Sequence, residues 1–312
     1  MKKIVIVGPG AIGCLFAAYL ARGKYAEVWV LDKDVRRARK ITASGITVDA
    51  LNNKSFKVKV NITADAAEIK SCDLVIICVK SYDTECAAKS IEKLLGENSH
   101  VLTLQNGLGN IEIIAEMVGR ERVLAGVTSQ GATLIEDGHI RHAGYGDTVI
   151  GRLDGKLTVA MRDVRDIFAR AGFPTRLSKD INSLIWSKLI INVGINAQTA
   201  ITRLHNGRLV EFVGTREILS LAVSEAVRVA KKKRIKLIYD DPIQKVESVC
   251  LATSANISSM LQDVLKKKKT EIDYINGAIV RQAKSFNLPA PANLMLTNFI
   301  KTIESTYDKQ VR

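Results

Sequence analysis

The run Lys3-Ile4-Val5-Ile6-Val7, followed at once by Gly8-Pro9-Gly10-Ala11-Ile12-Gly13, decides how this chain is read. Four consecutive β-branched apolar residues are a buried strand signal. The spacing after them is G-x-G-x-x-G, and the apolar stretch through Arg22 reads as the helix that the turn opens. The motif is weak by itself and strong in this place, with a strand before it and a helix after it. Gly8 permits the tight turn, Gly10 lets a pyrophosphate approach the backbone, and Gly13 lets helix and strand pack closely. The free N–H groups and dipole of the helix N-terminus favour an anion. Gly8, Pro9, Gly10, Ala11, Ile12 and Gly13 are therefore the expected dinucleotide-binding turn.

The next strand, at 27–31, ends on Asp32, 19 residues past Gly13. An acid there accepts hydrogen bonds from an adenosine ribose diol, which favours NADH. Lys33, Arg36 and Arg37 follow immediately, and such cations hold the 2′-phosphate of NADPH. The residues thus leave the cofactor open, and the bland reading of the three cations is a wet helix face. A basic helix at 34–43, short strands at 46–50 and 56–60 around Asn52-Asn53, and the nearly all-apolar 73–79 continue the chain. An apolar run of that kind suits a central parallel strand covered on both faces. A helix at 83–95, a strand at 100–104 and a helix at 109–118 complete an alternation that argues for a doubly wound sheet. Lys80 and Asn106 each follow a strand, at the sheet edge where ligands bind in such folds. Asn106-Gly107 also reads as an ordinary turn. Asp137-Gly138 and Gly146-Asp147 suggest antiparallel hairpins, before a helix at 158–171 and a strand at 173–177.

After about 180 the strand signals stop. Segments 181–201, 210–233, 242–267, 270–286 and 292–307 read as helices. The expected organisation is an α/β Rossmann-type dinucleotide-binding domain over 1–178 and an all-α domain over 179–312. In the first of those helices Lys188, Asn192 and Asn196 recur at i, i+4 and i+8, on one face. Buried amides and ammoniums need partners, and a substrate carboxylate or carbonyl would serve, as would a closed polar network within the protein. Glu271, at the start of an otherwise apolar helix, is a second polar candidate beside the plainer reading as a cap. A lysine and a carboxylate supply what hydride transfer asks of a protein, a proton donor and an orienting group.

Composition narrows the classes. A quarter of the 312 residues are charged and 47% are hydrophobic, so the bulk is not disordered. Cys14, Cys72, Cys78, Cys86 and Cys250 are odd in number and lack CxxC spacing, and with four scattered His no metal site is expected. A reducing, cytoplasmic setting fits those cysteines. The Lys2-Lys3 start resembles a secretory leader, but glycines and Pro9 interrupt its apolar run. No run reaches the length of a membrane span. The net charge is +14, concentrated at 231–234 and 266–269. That excess suits an anionic substrate or a solvated helix face. No aromatic interleaving supports nucleic-acid binding, so neither nucleic acid nor membrane is expected as a partner. The oligomeric state stays open, a homodimer among the alternatives.

These motifs resemble the ketopantoate reductase (2-dehydropantoate 2-reductase) family along essentially the whole chain. The resemblance is carried by residues 8–13, Val79-Lys80, Leu104-Gln105-Asn106-Gly107, and Trp186-Ser187-Lys188 with Asn192 and Asn196. Most specific are Ser258-Ser259-Met260-Leu261-Gln262-Asp263 and Thr270-Glu271-Ile272-Asp273-Tyr274-Ile275-Asn276-Gly277. It implies a C-terminal domain like that of 6-phosphogluconate dehydrogenases, and reduction of 2-dehydropantoate to (R)-pantoate on the way to pantothenate and coenzyme A. It makes Lys188 the general acid and Glu271 the group that orients substrate. Asn192, Asn196 and Ser259 hold substrate, and Asn106 touches both substrate and cofactor. Gly8 through Gly13, Asp32, Lys33 and Lys80 line the cofactor. The implied cofactor is NADPH, although Asp32 stands where many members carry neutral or basic residues, which keeps NADH open. Rival readings are an NADH-dependent dehydrogenase of another branched 2-hydroxy acid and a non-catalytic dinucleotide-binding module.

Overall fold

The computed structural model describes residues 1–52 and 54–309. It divides into two compact units, one of residues 1–105 and 110–181, the other of 106–109 and 182–312. The first is a Rossmann-type α/β unit. Its elements are β1 (Lys3–Val7), α1 (Ala11–Arg22), β2 (Glu27–Leu31), α2 (Val35–Ser44), β3 (Ile46–Asp49), β4 (Ser55–Val58), β5 (Asn61–Thr63) and β6 (Cys72–Ile77). Then come α3 (Thr84–Ile91), β7 (Leu95–Thr103), α4 (Asn110–Val118), β8 (Val123–Thr128), β9 (Gly131–Glu136), β10 (His139–Gly144), β11 (Thr148–Gly151), α5 (Val159–Arg170) and β12 (Thr175–Ser178).

The main sheet runs β12-β11-β8-β7-β6-β1-β2-β5, parallel throughout except where β11 meets β8. Chain order reverses between β1 and β6, the switch point at which open α/β sheets bind ligands. Val5 is paired with Trp29 on one side and Val75 on the other. A second sheet, β4-β3-β10-β9, packs on α1. That helix is therefore covered by β-structure on two sides. This explains why Cys14, Leu15, Phe16, Ala17, Ala18 and Leu20 are all fully buried and the helix has no wide polar face. Phe16 stacks against Phe168 and Phe173, with ring centroids 5.0 and 4.4 Å away. The opposite face of the main sheet is covered by Ala88, Ile91 and Ile114 of α3 and α4.

Two sequence expectations change here, and one strand was not expected. The Asp137-Gly138 turn does join an antiparallel pair, β9 and β10, but that pair lies in the second sheet. No hairpin forms at Gly146-Asp147, because β10 and β11 belong to different sheets. The short, polar β5 gave no strand signal and pairs in parallel with β2. Of the expected Asn52-Asn53 turn, Asn53 lies outside the described residues; Ala50 N–H donates to Lys54 C=O across it.

The second unit is all-α. It contains α6 (Ile181–Thr202), α7 (Val213–Lys232), α8 (Pro242–Ala252), α9 (Ser259–Leu265), α10 (Asn276–Ser285) and α11 (Pro291–Ser305), with 3-10 turns at Asn206–Val210 and Ile272–Tyr274. Residues 242–267 read as one helix but form two. Backbone N–H groups of Asn206 and Gly207 take the carbonyls of Asn256 and Ser254, which holds 253–258 out of helical geometry. Ser258 then caps α9 through Leu261 N–H at 3.0 Å. The span 270–286 is also split: Ile275, at φ −108° and ψ −95°, separates the 3-10 turn from α10. A buried carboxylate organises the far side. Glu225 of α7 accepts from the N–H groups of Ala292 and Asn293 at the start of α11, both at 2.9 Å. No described helix is long and apolar enough to cross a membrane.

Candidate active site

The glycine turn leaves β1 at the switch point. Gly8 has φ +94°, and a Cβ there would lie 2.6 Å from Val79 Cγ1. A Cβ on Gly13 would stand 2.0 Å from the carbonyl oxygen of Gly8, so that position admits no side chain. Gly10 is the reverse case, with open space where its Cβ would be. That opening, above the first turn of a helix with no acidic residue in it, is the cradle a pyrophosphate needs. The residues present therefore fit a dinucleotide. Below the turn, Cys14 Sγ donates to Pro9 C=O at 3.3 Å, and burial pushes its thiol up to about 12.

Asp32 lies at the end of β2, with its side chain 1% exposed. Both of its oxygens are taken by Arg37, which donates through Nε at 2.6 Å and Nη2 at 2.5 Å. Lys33 is clamped to both oxygens of Asp83 at 2.8 Å. Lys80 opens the 3-10 turn Ser81–Asp83 after β6. The ends of β6 and β7 are locked together by Gln105, a motif residue to which the sequence assigned no role. Gln105 Nε2 donates to Val79 C=O at 2.9 Å and to Thr84 Oγ1 at 2.8 Å. Thr84 Oγ1 in turn lies 2.8 Å from Asn110 Oδ1.

Asn106–Gly109 follow β7 in the chain but pack within the second unit. Gly107 (φ +86°) lies so close to the 3-10 turn that its Cβ would be 2.5 Å from Tyr274 C=O. Leu108 N–H donates to that carbonyl at 2.9 Å. The loop carrying Asn106 is thereby attached to the turn that begins at Glu271.

Lys188, Asn192 and Asn196 lie along α6. Burial pushes the Lys188 ammonium down to about 8, and the charge of Glu271 opposes that fall. The two groups are thus close enough to feel each other, and Glu271 is buried, 6% exposed. Asn192 Nδ2 is buried with no hydrogen-bond partner, and Asn196 is 5% exposed. An orphaned buried amide costs about 1–3 kcal/mol, so a ligand oxygen at Asn192 has a donor waiting for it. Two contacts fix α6 beside the lysine: Ile238 N–H donates to Ser187 Oγ at 3.1 Å, and Tyr239 Oη donates to Ser187 C=O at 2.7 Å. A third joins the Glu271 segment to the same helix, since Asn276 Nδ2 donates to Val193 C=O at 3.2 Å. Asn276, quoted in the sequence only as part of a motif, donates to Asn293 Oδ1 at 3.0 Å as well; Tyr239 was missed by sequence reasoning, because a main-chain carbonyl partner leaves no trace in a motif.

The two adjacent serines separate cleanly. Ser258 Oγ is spent inside the fold, on Leu261 N–H and on Thr199 Oγ1 at 2.7 Å. Ser259, the first residue of α9, is exposed. Of the two, Ser259 is the accessible one.

Comparisons with known proteins place the chain in a family. A family model for ketopantoate reductase PanE/ApbA matches residues 4–155, and the model of that family's C-terminal part matches residues 180–304. The 2-dehydropantoate 2-reductase of Pyrococcus abyssi is 36% identical over 309 residues, covering 99% of this chain and all of the relative. That of Halobacterium salinarum is 34% identical, covering 96% and 98%. Among solved structures, a PanE/ApbA family ketopantoate reductase from Ralstonia eutropha is 33% identical with a TM-score of 0.90, over 98% of this chain and 99% of that one. D-mandelate dehydrogenase, in a ternary structure with NADH and anilino(oxo)acetate, is 27% identical with a TM-score of 0.91 over the same shares. With both parts of the family model matched and relatives above one-third identity along nearly the whole length, the chain belongs to the ketopantoate reductase family of NAD(P)H-dependent oxidoreductases.

Proposed function

We propose that this protein reduces 2-dehydropantoate to (R)-pantoate, the step that leads toward pantothenate and coenzyme A, with NADPH as cofactor. The observation that carries the reading is the α6 row: a lysine brought to about 8, an acid beside it in charge, and an unsatisfied amide one turn on. A dinucleotide module without chemistry has no use for that set. Family membership supplies the substrate. The domain assignment follows: 1–178 holds the dinucleotide and 179–312 acts on substrate.

When bound, NADPH supplies the hydride that reaches C2. Gly8–Gly13 hold the pyrophosphate through backbone N–H groups, and Lys80 adds charge at the same sheet edge. The Lys188 ammonium gives its proton to the C2 oxygen as the C=O bond becomes C–OH, and ends neutral. A pKa near 8 suits that task, being low enough to release the proton and high enough to hold it at neutral pH. Glu271 orients the substrate and keeps Lys188 charged. Asn192, Asn196 and Ser259 hold the substrate's polar groups, and Asn106 serves both substrate and cofactor. The partner is a small anionic 2-keto acid.

A second reading is favoured by the likeness to D-mandelate dehydrogenase with NADH, together with Asp32 at the end of β2. In it the enzyme acts with NADH on another branched or aromatic 2-keto acid. The test is initial-rate oxidation of NADPH and NADH with 2-dehydropantoate, phenylglyoxylate and 2-ketoisovalerate. A kcat/KM for 2-dehydropantoate well above the others supports the first reading. Preference for phenylglyoxylate or 2-ketoisovalerate with NADH moves the assignment to the second. No turnover with any of them overturns both.

A further inference from the structure

An acid at the end of β2 is ordinarily an acceptor for the adenosine ribose diol and an obstacle to a 2′-phosphate. The environment of Asp32 does not allow that role. A carboxylate offers about four acceptor positions. Three are filled from within the chain, by Arg37 Nε, Arg37 Nη2 and Asp34 N–H at 2.6, 2.5 and 3.1 Å. The carboxylate is 1% exposed, whereas its partner guanidinium is 26% exposed. What the pair shows to solvent is the cation. Arg37 spends two of its five N–H donors on Asp32, so three remain. Arg36 adjoins it, its backbone N–H and that of Arg37 both fixed by the Asp34 cap. Lys33 lies on the same stretch, 64% exposed even while paired with Asp83.

We propose that the Asp32–Arg37 pair is the cofactor selector of this enzyme, in which Arg37 binds the 2′-phosphate of NADPH and Asp32 is a positioning residue that aims it. The inference rests on the reading that residues 8–13 take a nicotinamide dinucleotide, and it deepens that reading. A fork held at two points loses little freedom when it meets a phosphate, which is how a planar guanidinium gains over a free lysine. The acid that argues for NADH in the sequence thus serves NADPH in the fold.

The pair makes a prediction opposite in sign to the ribose-acceptor reading. Equilibrium Kd values for NADPH and NADH, measured by nucleotide fluorescence on the wild type, Arg37→Ala and Asp32→Asn, separate the two. The wild type binds NADPH at least about tenfold tighter than NADH, as expected of charge-assisted hydrogen bonds. Arg37→Ala weakens NADPH by about tenfold or more and leaves NADH equal or tighter, because the Asp32 oxygens are released to the diol. Asp32→Asn weakens NADPH several-fold although it removes a negative charge, because Arg37 loses its anchor. If Asp32→Asn tightens NADPH, or if Arg37→Ala leaves the NADPH-to-NADH ratio unchanged, the proposal is overturned. Should Asp32→Asn not fold, the ratio in Arg37→Ala decides alone. The reductase reading is judged apart: turnover of 2-dehydropantoate with an unchanged ratio in Arg37→Ala defeats only the selector, and the expected ratios without turnover defeat only the reductase.

Discussion

The phosphate turn of the first unit and the α6 row of the second are built by opposite means. The turn is backbone and absence: Gly8 and Gly13 matter because any Cβ would strike Val79 or the Gly8 carbonyl, and Gly10 because space is left open. The row is side chains under stress: an ammonium lowered by burial, a buried acid, and an amide with nothing to donate to. A backbone site is finished before its ligand arrives and treats every dinucleotide pyrophosphate alike. A side-chain site holds unfavourable terms that a particular substrate relieves, which is why the proposed mechanism puts substrate discrimination and proton transfer there.

The contrast breaks most visibly at Lys188. Lys188→Ala should lower kcat by about 10²–10⁴, the range of a positioned acid, while the NADPH Kd from fluorescence stays within about twofold of wild type. A matching loss of NADPH affinity would show the two sites are not separate devices. Glu271→Gln should lower kcat/KM for 2-dehydropantoate by roughly ten- to a hundredfold, the worth of a charged hydrogen bond. It should also move the alkaline limb of the pH profile to lower pH, because the carboxylate that raises the Lys188 pKa is gone. Gly13→Ala tests the other side. A methyl 2.0 Å from the Gly8 carbonyl forces the turn open, at about 1–3 kcal/mol, so NADPH and NADH should weaken together by about tenfold, with substrate KM much less affected. The smallest effect is expected at Tyr239, whose phenol burial holds well above the usual range. Tyr239→Phe removes one 2.7 Å bond to Ser187 C=O and should cost about 1 kcal/mol in urea unfolding.

The difference between the two sites also explains what the sequence disclosed. The turn was legible because glycine identity is its mechanism, and β1 and α1 lie where the 3–7 and 11–22 patterns place them. The polar row was visible as a period of four in an apolar helix. Pairings were not. Arg37 reads as one more cation on a basic helix until the fold brings it onto Asp32. Only the family resemblance singles out Ser259 over Ser258; the contact that occupies the Ser258 hydroxyl comes from Thr199, 59 residues away. The break between α8 and α9 carries no glycine or proline; it is imposed by Asn206 and Gly207. The second sheet was hidden because a hairpin pattern specifies its own register and not the sheet it joins.

The most direct test of this account is the pH dependence of kcat/KM for 2-dehydropantoate with the wild-type enzyme between pH 6 and 10. In the proposed mechanism the acid form of Lys188 is the working form, and it is lost as pH rises through its pKa. The account predicts a plateau below about 8 and a decline approaching tenfold per pH unit above it. A profile that stays flat through 8, or rises there, would contradict Lys188 as the proton donor.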